Sequence, residues 1–218
     1  MGILTELYRS SIGKKIVVCL SGLFLCTYLV VHVAGNLLLF KDDGGAMFDM
    51  YAETLPKILI IRVIEIFLFG VFIGHIITGT YLWLLNRRAR PKNYEVNKPV
   101  ENSSLNSRTM FLTGSIFFIF LVIHMKTFWY TSRFEAGEGF SMYATVKEAF
   151  SDPLYSGFYV VAMVLLASHL RHGFQSALQT LGLKSKKYTP LIEGVGMLFW
   201  LVIPVVFAAM PIFFLLKF

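Results

Sequence analysis

The sequence predicts an all-α integral membrane protein, a bundle of five transmembrane helices with its N-terminus in the cytoplasm and its C-terminus outside. Three observations lead to this fold class. Of the 218 residues, 56% are hydrophobic and only 15% are charged, whereas soluble domains carry about 25% charged residues. Five separate stretches are long and apolar enough to cross a bilayer, which takes about 20 residues in a helix. Positive charge is concentrated in alternate loops.

The five predicted spans are residues 16–40, 58–85, 110–130, 154–181 and 191–216, all within a single domain that covers 1–218. The first span begins like a signal peptide, with Lys14 and Lys15 before an apolar run. The run is too long for a signal peptide and no clear cleavage site follows it, so we interpret it as a retained helix. Aromatic residues near the span ends fit an interfacial belt: Trp83, Trp129, Tyr51, Tyr81, Tyr130 and Tyr155.

The loop charges predict the direction of the helices. Positive residues precede the first span and fill the second and fourth loops: Arg9, Lys14, Lys15, Arg87, Arg88, Arg90, Lys92, Lys98, Arg108, Lys184, Lys186 and Lys187. The first loop is acidic and the third is near neutral. The positive-inside rule therefore places the N-terminus and the second and fourth loops in the cytoplasm. The net charge of +7 is thereby explained by topology, and nucleic acid is not an expected partner.

All five histidines fall inside predicted spans: His32, His75, His124, His169 and His172. Ionisable side chains within a membrane are costly and usually functional. With a helical rise of about 1.5 Å per residue, His32 and His124 lie about 6 Å to the outer side of their span centres. On the same scale His75, His169 and His172 lie about 5, about 3 and about 7 Å to the inner side. The sequence predicts an outer pair, His32 with His124, and an inner pair of His75 with His169 or His172.

Paired imidazoles at two depths predict two b-type haems, since a six-coordinate haem iron takes one axial ligand on each face. The haems are expected to be held non-covalently, because no C-x-x-C-H attachment motif is present. Cys19 and Cys26 are seven residues apart on one helix, too far for a mutual disulfide.

Small and basic residues near the histidines are candidates for contact with a macrocycle. Gly35, Thr78, Gly79 and Gly173 follow a histidine by three or four residues and share its helix face. Small residues also serve helix–helix contact, so this signal alone is weak. Arg171, Arg108, Arg9 and Lys14 are candidate partners of haem propionates, although a role in topology explains each of them equally well.

Several motifs surround the histidines: Ser21-Gly22-Leu23, His32-Val33-Ala34-Gly35-Asn36, and His169-Leu170-Arg171-His172-Gly173-Phe174-Gln175-Ser176-Ala177. With His75 and His124, they make nearly the whole chain resemble the cytochrome b membrane anchor of succinate:quinone oxidoreductases (complex II) and quinol:fumarate reductases, the single-chain, five-helix, di-haem type. The resemblance implies that the first and third helices ligate an outer haem and the second and fourth an inner one. The family pattern H-x-x-x-G selects His169 with Gly173, which leaves His172 as a neighbour of the cofactor or quinone.

The resemblance also implies partners and a location. It implies a FAD flavoprotein subunit and an iron–sulfur subunit on the cytoplasmic face of a prokaryotic inner membrane. It further implies a quinone, usually menaquinone. The chain itself is expected to lack a dicarboxylate site and to serve as an electron conduit in respiration. Some family members carry an acidic residue near the outer start of the second helix that handles quinone protons; Glu53 is the nearest match, with Asp49 behind it. Ala167 stands where some fumarate reductases have a glutamate, so that proton route is in doubt.

Three alternatives remain open from the sequence. The first alternative is a haem b subunit of another respiratory complex, such as a hydrogenase or formate dehydrogenase. The second is a transporter that uses histidines as a proton relay, and the third is a structural anchor without a cofactor. A transporter would be colourless, and the anchor leaves the paired depths unexplained. Glu65 in the second span is expected to pair with Arg62, three residues away.

Overall fold

A computed structural model of the chain describes residues 10–89, 105–183 and 188–217, and the regular elements in these ranges are all helical. The α-helices are α1 (Ser11–Asn36), α2 (Ala46–Thr54), α3 (Leu59–Arg88), α4 (Leu105–His124), α5 (Met142–Ser151), α6 (Pro153–Thr180), α7 (Thr189–Met197) and α8 (Ile203–Lys217). The 3-10 turn Leu37–Phe40 extends α1. Two π-helical segments, Met125–Glu135 and Leu198–Val202, continue α4 and join α7 to α8.

Five helical stretches are long and apolar enough to cross a membrane: Ser11–Phe40, Leu59–Arg88, Arg108–Glu135, Pro153–Thr180 and Thr189–Lys217. The predicted architecture of five spans is therefore confirmed, and we refer to these stretches as the first to fifth spans. The third span continues past its predicted end at Tyr130 because the π-helical segment runs on to Glu135. Arg9 and the loop charges predicted at 90–101 and 184–187 lie outside the described residues.

Short polar residues fix where several helices begin. Ser10 accepts a hydrogen bond from the Gly13 N–H at 2.9 Å, and Asp152 accepts one from the Leu154 N–H at 2.8 Å. Such side chains satisfy N–H groups that have no partner inside the first turn of a helix. Pro153 follows Asp152 at the first helical position, where its missing N–H is harmless.

The hydrophobic core is centred on the fourth span. Its buried members come from the fourth and fifth spans, the third span, the end of the first and the two short helices: Leu39, Phe48, Phe120, Tyr143, Val146, Phe150, Tyr159, Ala162, Met163, Leu166, Met210 and Phe214. The second span is much less enclosed, because Thr78 is the only buried residue of α3. In a bilayer the apolar surface left outside this core is solvated by lipid.

Aromatic pairs attach the second span to its neighbours. Phe67 packs edge-on against Phe24 of the first span, with ring centroids 5.3 Å apart. Two pairs reach the third span: Trp83 stacks on Phe111 at 3.8 Å near one end, and Phe69 meets Trp129 at 5.3 Å towards the other. Between these two pairs, a Cβ added at Gly79 would meet no atom within 4 Å. The second span therefore leaves open space beside Gly79.

The two short helices meet at one end of the bundle. Asp49 of α2 accepts hydrogen bonds from the Ser141 hydroxyl at 2.6 Å and from the Tyr143 N–H at 2.7 Å. Lys217, at the end of the fifth span, pairs with Asp42 at 3.4 Å. We call this the outer end, because the loop charges predict that it faces away from the cytoplasm; that orientation stays a prediction.

Candidate functional site

The structure brings His32 and His124 into direct contact. Their ring centroids are 5.9 Å apart and the two ring planes are nearly perpendicular, at 83°. Tyr28 stacks on His32 with centroids 5.4 Å apart, and Phe207 lies 5.5 Å from the same ring. The first and third spans thus place two imidazoles side by side within an aromatic enclosure.

Each of these two rings has its Nδ1 turned towards protein groups. Nδ1 of His124 lies 3.2 Å from the Tyr159 hydroxyl. Nδ1 of His32 lies 3.4 Å from the Tyr28 hydroxyl and 3.5 Å from the Asn36 side-chain nitrogen. Within the described residues, Nε2 of both rings is left without a hydrogen bond and is the nitrogen available for a metal.

The inner histidines lie against glycines of neighbouring spans. A Cβ on Gly22 of the first span would come within 3.2 Å of His75 Cε1, and one on Gly114 of the third span within 3.1 Å of His169 Cε1. Contacts this close explain why these two positions are glycine. Their role at the inner level was not predicted from the sequence.

The spacing of these glycines gives the vertical separation of the two levels. Gly22 precedes His32 by ten residues, and Gly114 precedes His124 by ten residues. Ten residues of α-helix rise about 15 Å. His75 and His169 therefore lie about 15 Å along the bundle from the outer pair. This regular spacing is the sequence signal that identifies the two glycines.

Hydrogen bonding fixes the tautomer of His75. The Ser21 hydroxyl lies 2.9 Å from His75 Nδ1, and it donates its single proton to the carbonyls of Val17 and Val18, 2.8 and 3.0 Å away. When the hydroxyl proton goes to a carbonyl, the serine oxygen accepts from a proton on Nδ1. In that tautomer His75 carries its lone pair on Nε2, the form that binds a metal.

His169 differs from the other three. Its Nδ1 is buried and has no hydrogen-bond partner among the described residues. The backbone of Met110 on the third span also interacts with this ring. The rings of His75 and His169 make no direct contact in the described part of the chain, unlike those of the outer pair.

The other predicted contact residues have varied surroundings. A Cβ on Gly35 would lie 2.5 Å from the Tyr51 hydroxyl, so this glycine admits Tyr51 of α2, and burial raises the pKa of that tyrosine. Gly173 lies near Met110, with a 3.6 Å Cβ distance. The Arg171 guanidinium stacks over Trp200 of the fifth span at 5.1 Å. His172 is partly buried on the same helix.

The two acidic residues predicted for quinone have other partners. Asp49 ties α2 to α5 through Ser141 and the Tyr143 N–H. The Glu53 side chain is exposed and its nearest cation is Lys57 at 4.0 Å. Neither residue lines the cleft beside Trp129 or the cleft beside Trp200.

An unexpected polar cluster joins the second and third spans near the outer end. Glu65 pairs with Arg133 at 2.7 Å and accepts a hydrogen bond from the Trp129 indole N–H. Arg62, the expected partner, is also close, at 3.7 Å. Trp129 borders a cleft of about 480 Å³ whose other lining residues are Met125, Lys126, Tyr130 and Glu135. Arg133 and Trp129 were not predicted, because they belong to a different helix from Glu65.

The donor set fits haem better than a protein-bound metal ion. The described residues contain no group of three or more His, Cys, Asp or Glu side chains that would hold a metal ion. A haem iron takes four ligands from its porphyrin and needs only two imidazoles. His32 and His124, whose rings lie side by side with centroids 5.9 Å apart, supply such a pair of imidazoles from different spans.

Comparison of the chain with protein-family models, with curated proteins and with solved structures gives no match.

Proposed function

We propose that this chain is the di-haem cytochrome b anchor of a succinate:quinone oxidoreductase or quinol:fumarate reductase. One observation carries the proposal: four intramembrane histidines from alternate spans lie at two levels about 15 Å apart, and the rings of the outer two lie side by side with centroids 5.9 Å apart. His32 and His124 would hold the outer haem, and His75 and His169 the inner one. Haem supplies one-electron redox chemistry at its iron.

The residues of the chain have three tasks in this proposal. Ser21 holds His75 with its Nε2 lone pair free. Gly114 leaves room for the His169 ring, since a Cβ there would come within 3.1 Å of its Cε1. Glycines at 22, 79 and 114 keep bulk away from the inner level. Together these residues bind and orient the cofactors, while dicarboxylate chemistry belongs to the partner subunits.

The cleft beside Trp129, near the outer end, is the best-supported place for a quinone, in preference to the surroundings of Asp49 and Glu53. It measures about 480 Å³ and combines Trp129, Tyr130 and Lys126, side chains that stack on a ring or donate to its oxygens. The adjacent Glu65 and Arg133, whose side chains are only 18% and 14% exposed, form an ion pair within the membrane region. Such groups are costly in lipid and usually functional.

Spectra of the full chain, purified with its partners, test the proposal. We expect b-type bands in the reduced-minus-oxidised spectrum and two haems per polypeptide. His32→Ala or His124→Ala should remove the outer haem alone, and His75→Ala or His169→Ala the inner one. His172→Ala is the matched control and should retain both haems. A colourless protein would favour the transporter, and co-purification with a nickel or molybdenum subunit would favour the other respiratory complexes.

A further inference from the structure

A row of hydroxyl groups runs from His124 into the interface between the third and fourth spans. Tyr159 lies 3.2 Å from His124 Nδ1, Tyr155 lies 3.0 Å from Tyr159, and Thr127 lies 2.9 Å from Tyr155, each distance measured at the side-chain oxygen. We call Tyr159, Tyr155 and Thr127 the hydroxyl row.

Packing holds the first tyrosine of the row in place. Tyr159 is only 5% exposed, and its ring is enclosed by Phe120 at 4.8 Å and by Phe150 at 5.0 Å. A tightly packed aromatic ring has few alternative rotamers. The Tyr159 hydroxyl is therefore held in position facing His124.

The direction of the hydrogen bonds follows from counting protons. Tyr155 donates its single proton to Thr127, so its oxygen accepts from Tyr159 across the 3.0 Å contact. The proton of Tyr159 is then used, and its oxygen accepts from His124. His124 is therefore protonated on Nδ1, and its lone pair lies on Nε2, the nitrogen that faces away from the row.

We propose that Tyr159 is a positioning residue for His124, and that the hydroxyl row lowers the reduction potential of the outer haem. The inference rests on the proposed function. A group that accepts a hydrogen bond from the far nitrogen of a ligating imidazole orients the ring and raises its basicity. A more basic axial ligand stabilises the ferric state, and the aligned bonds of the row polarise one another.

The placement of Tyr159 couples the two levels through one helix. Tyr159 precedes His169 by ten residues on the fourth span, so it sits at the outer level while His169 sits at the inner one. The helix that ligates the inner haem thereby sets the hydrogen bonding of the outer haem. At the inner level, Nδ1 of His75 has a different partner, the Ser21 hydroxyl, so the hydroxyl row acts on the outer haem.

Redox titration of the purified complex, with low-temperature electron paramagnetic resonance of the ferric haems, tests the inference. Tyr159→Phe removes one oxygen and keeps the ring. We expect the outer haem to become easier to reduce, with its one-electron equilibrium shifted roughly three- to tenfold, where tenfold is about 59 mV. Its g-values should change, and the inner haem should keep both its potential and its g-values.

Two further variants make the result decisive. Tyr155→Phe keeps the Tyr159 hydroxyl but breaks the row, and should give a smaller shift in the same direction. If the Tyr159→Phe variant does not assemble, Tyr155→Phe still tests the inference. Tyr143→Phe is the control, a buried tyrosine whose ring packs against Phe214 at 5.5 Å; it should leave both haems unchanged. An unchanged or more negative outer potential in the two row variants overturns the inference, whereas a wild-type chain without haem overturns the proposed function.

Discussion

At the scale of single residues, several glycines lie where the ring of another residue packs against a helix. Gly22 and Gly114 are explained by imidazole rings, and Gly35 is explained by Tyr51. Gly79 has no such neighbour, although it lies four residues after His75 on the same helix face. Alanine would be the better helix former here by about 1 kcal/mol. The open space beside Gly79 is thus where a macrocycle bound to His75 would fit.

Filling this space tests that explanation. We expect Gly79→Leu to reduce the haem content from two to one, because a Cβ there meets no protein atom within 4 Å and the leucine side chain would take the space that the inner haem needs. The pyridine haemochrome assay measures this directly. Gly70→Leu is the matched control, because Gly70 also has open space but lies on another face of α3. If Gly79→Leu retained both haems, the inner haem could not lie against this face.

From the sequence, the level of a residue along a helix can be predicted, whereas the rotation of the helix about its axis cannot. The rise of a helix gives each histidine its level, so His32 and His124 were expected to be neighbours before their contact at 5.9 Å was seen. Gly22, Gly114 and Tyr159 were missed, because their roles depend on how each helix is turned about its axis. The apolar surface of a membrane helix shows little amphipathic pattern from which that rotation can be read.

At the scale of elements, the two π-helical segments and the two short helices were not predicted. A π-helical turn changes the hydrogen-bond register without changing hydropathy, so Met125–Glu135 and Leu198–Val202 give no signal in an apolar run. The second segment has a clear cause: Pro204 lies two residues after it, and a proline lacks the N–H that would bond to the carbonyl of Trp200. The wider π-helical turn accommodates the missing hydrogen bond within the fifth span.

The short helices α2 and α5 depend on Asp49, which leads to a stability prediction. Asp49→Ala removes the acceptor of the Ser141 hydroxyl and the Tyr143 N–H. Because hydrogen bonds to a charged group are worth about 1.5–3 kcal/mol, we expect a loss of roughly 2 kcal/mol of unfolding free energy, measured as a lower thermal midpoint in detergent.

Glu53→Ala is the control for this variant. The Glu53 side chain is 60% exposed and only 4.0 Å from its partner, so its loss should change the unfolding free energy by no more than about 0.5 kcal/mol. The opposite pattern, an Asp49→Ala variant of full stability that no longer turns over quinol, would return Asp49 to the quinone role that the sequence suggested.

At the scale of the whole molecule, the five-span bundle could be predicted because a chain in lipid can adopt few backbone structures. A chain that crosses the bilayer must satisfy its backbone hydrogen bonds within helices, so apolar stretches of sufficient length fix the number of spans. The contact between Lys217 and Asp42, and that between Asp49 and Ser141, place the ends of the first, third and fifth spans together. Neither contact identifies the side of the membrane on which this end lies.

Cysteine labelling of intact cells determines the orientation. Cys19 and Cys26 are 8% and 5% exposed, so they should react little with a membrane-impermeant maleimide. The positive-inside rule predicts that Asp42→Cys and Glu138→Cys, at exposed positions of the outer end, are labelled from outside. Arg88→Cys, exposed at the other end of the second span, should react only after the membrane is opened. The reverse labelling pattern would show that the bundle has the opposite orientation in the membrane. His32 and His124 would then lie nearest a cytoplasmic iron–sulfur partner, and the cleft beside Trp129 would no longer face the outside.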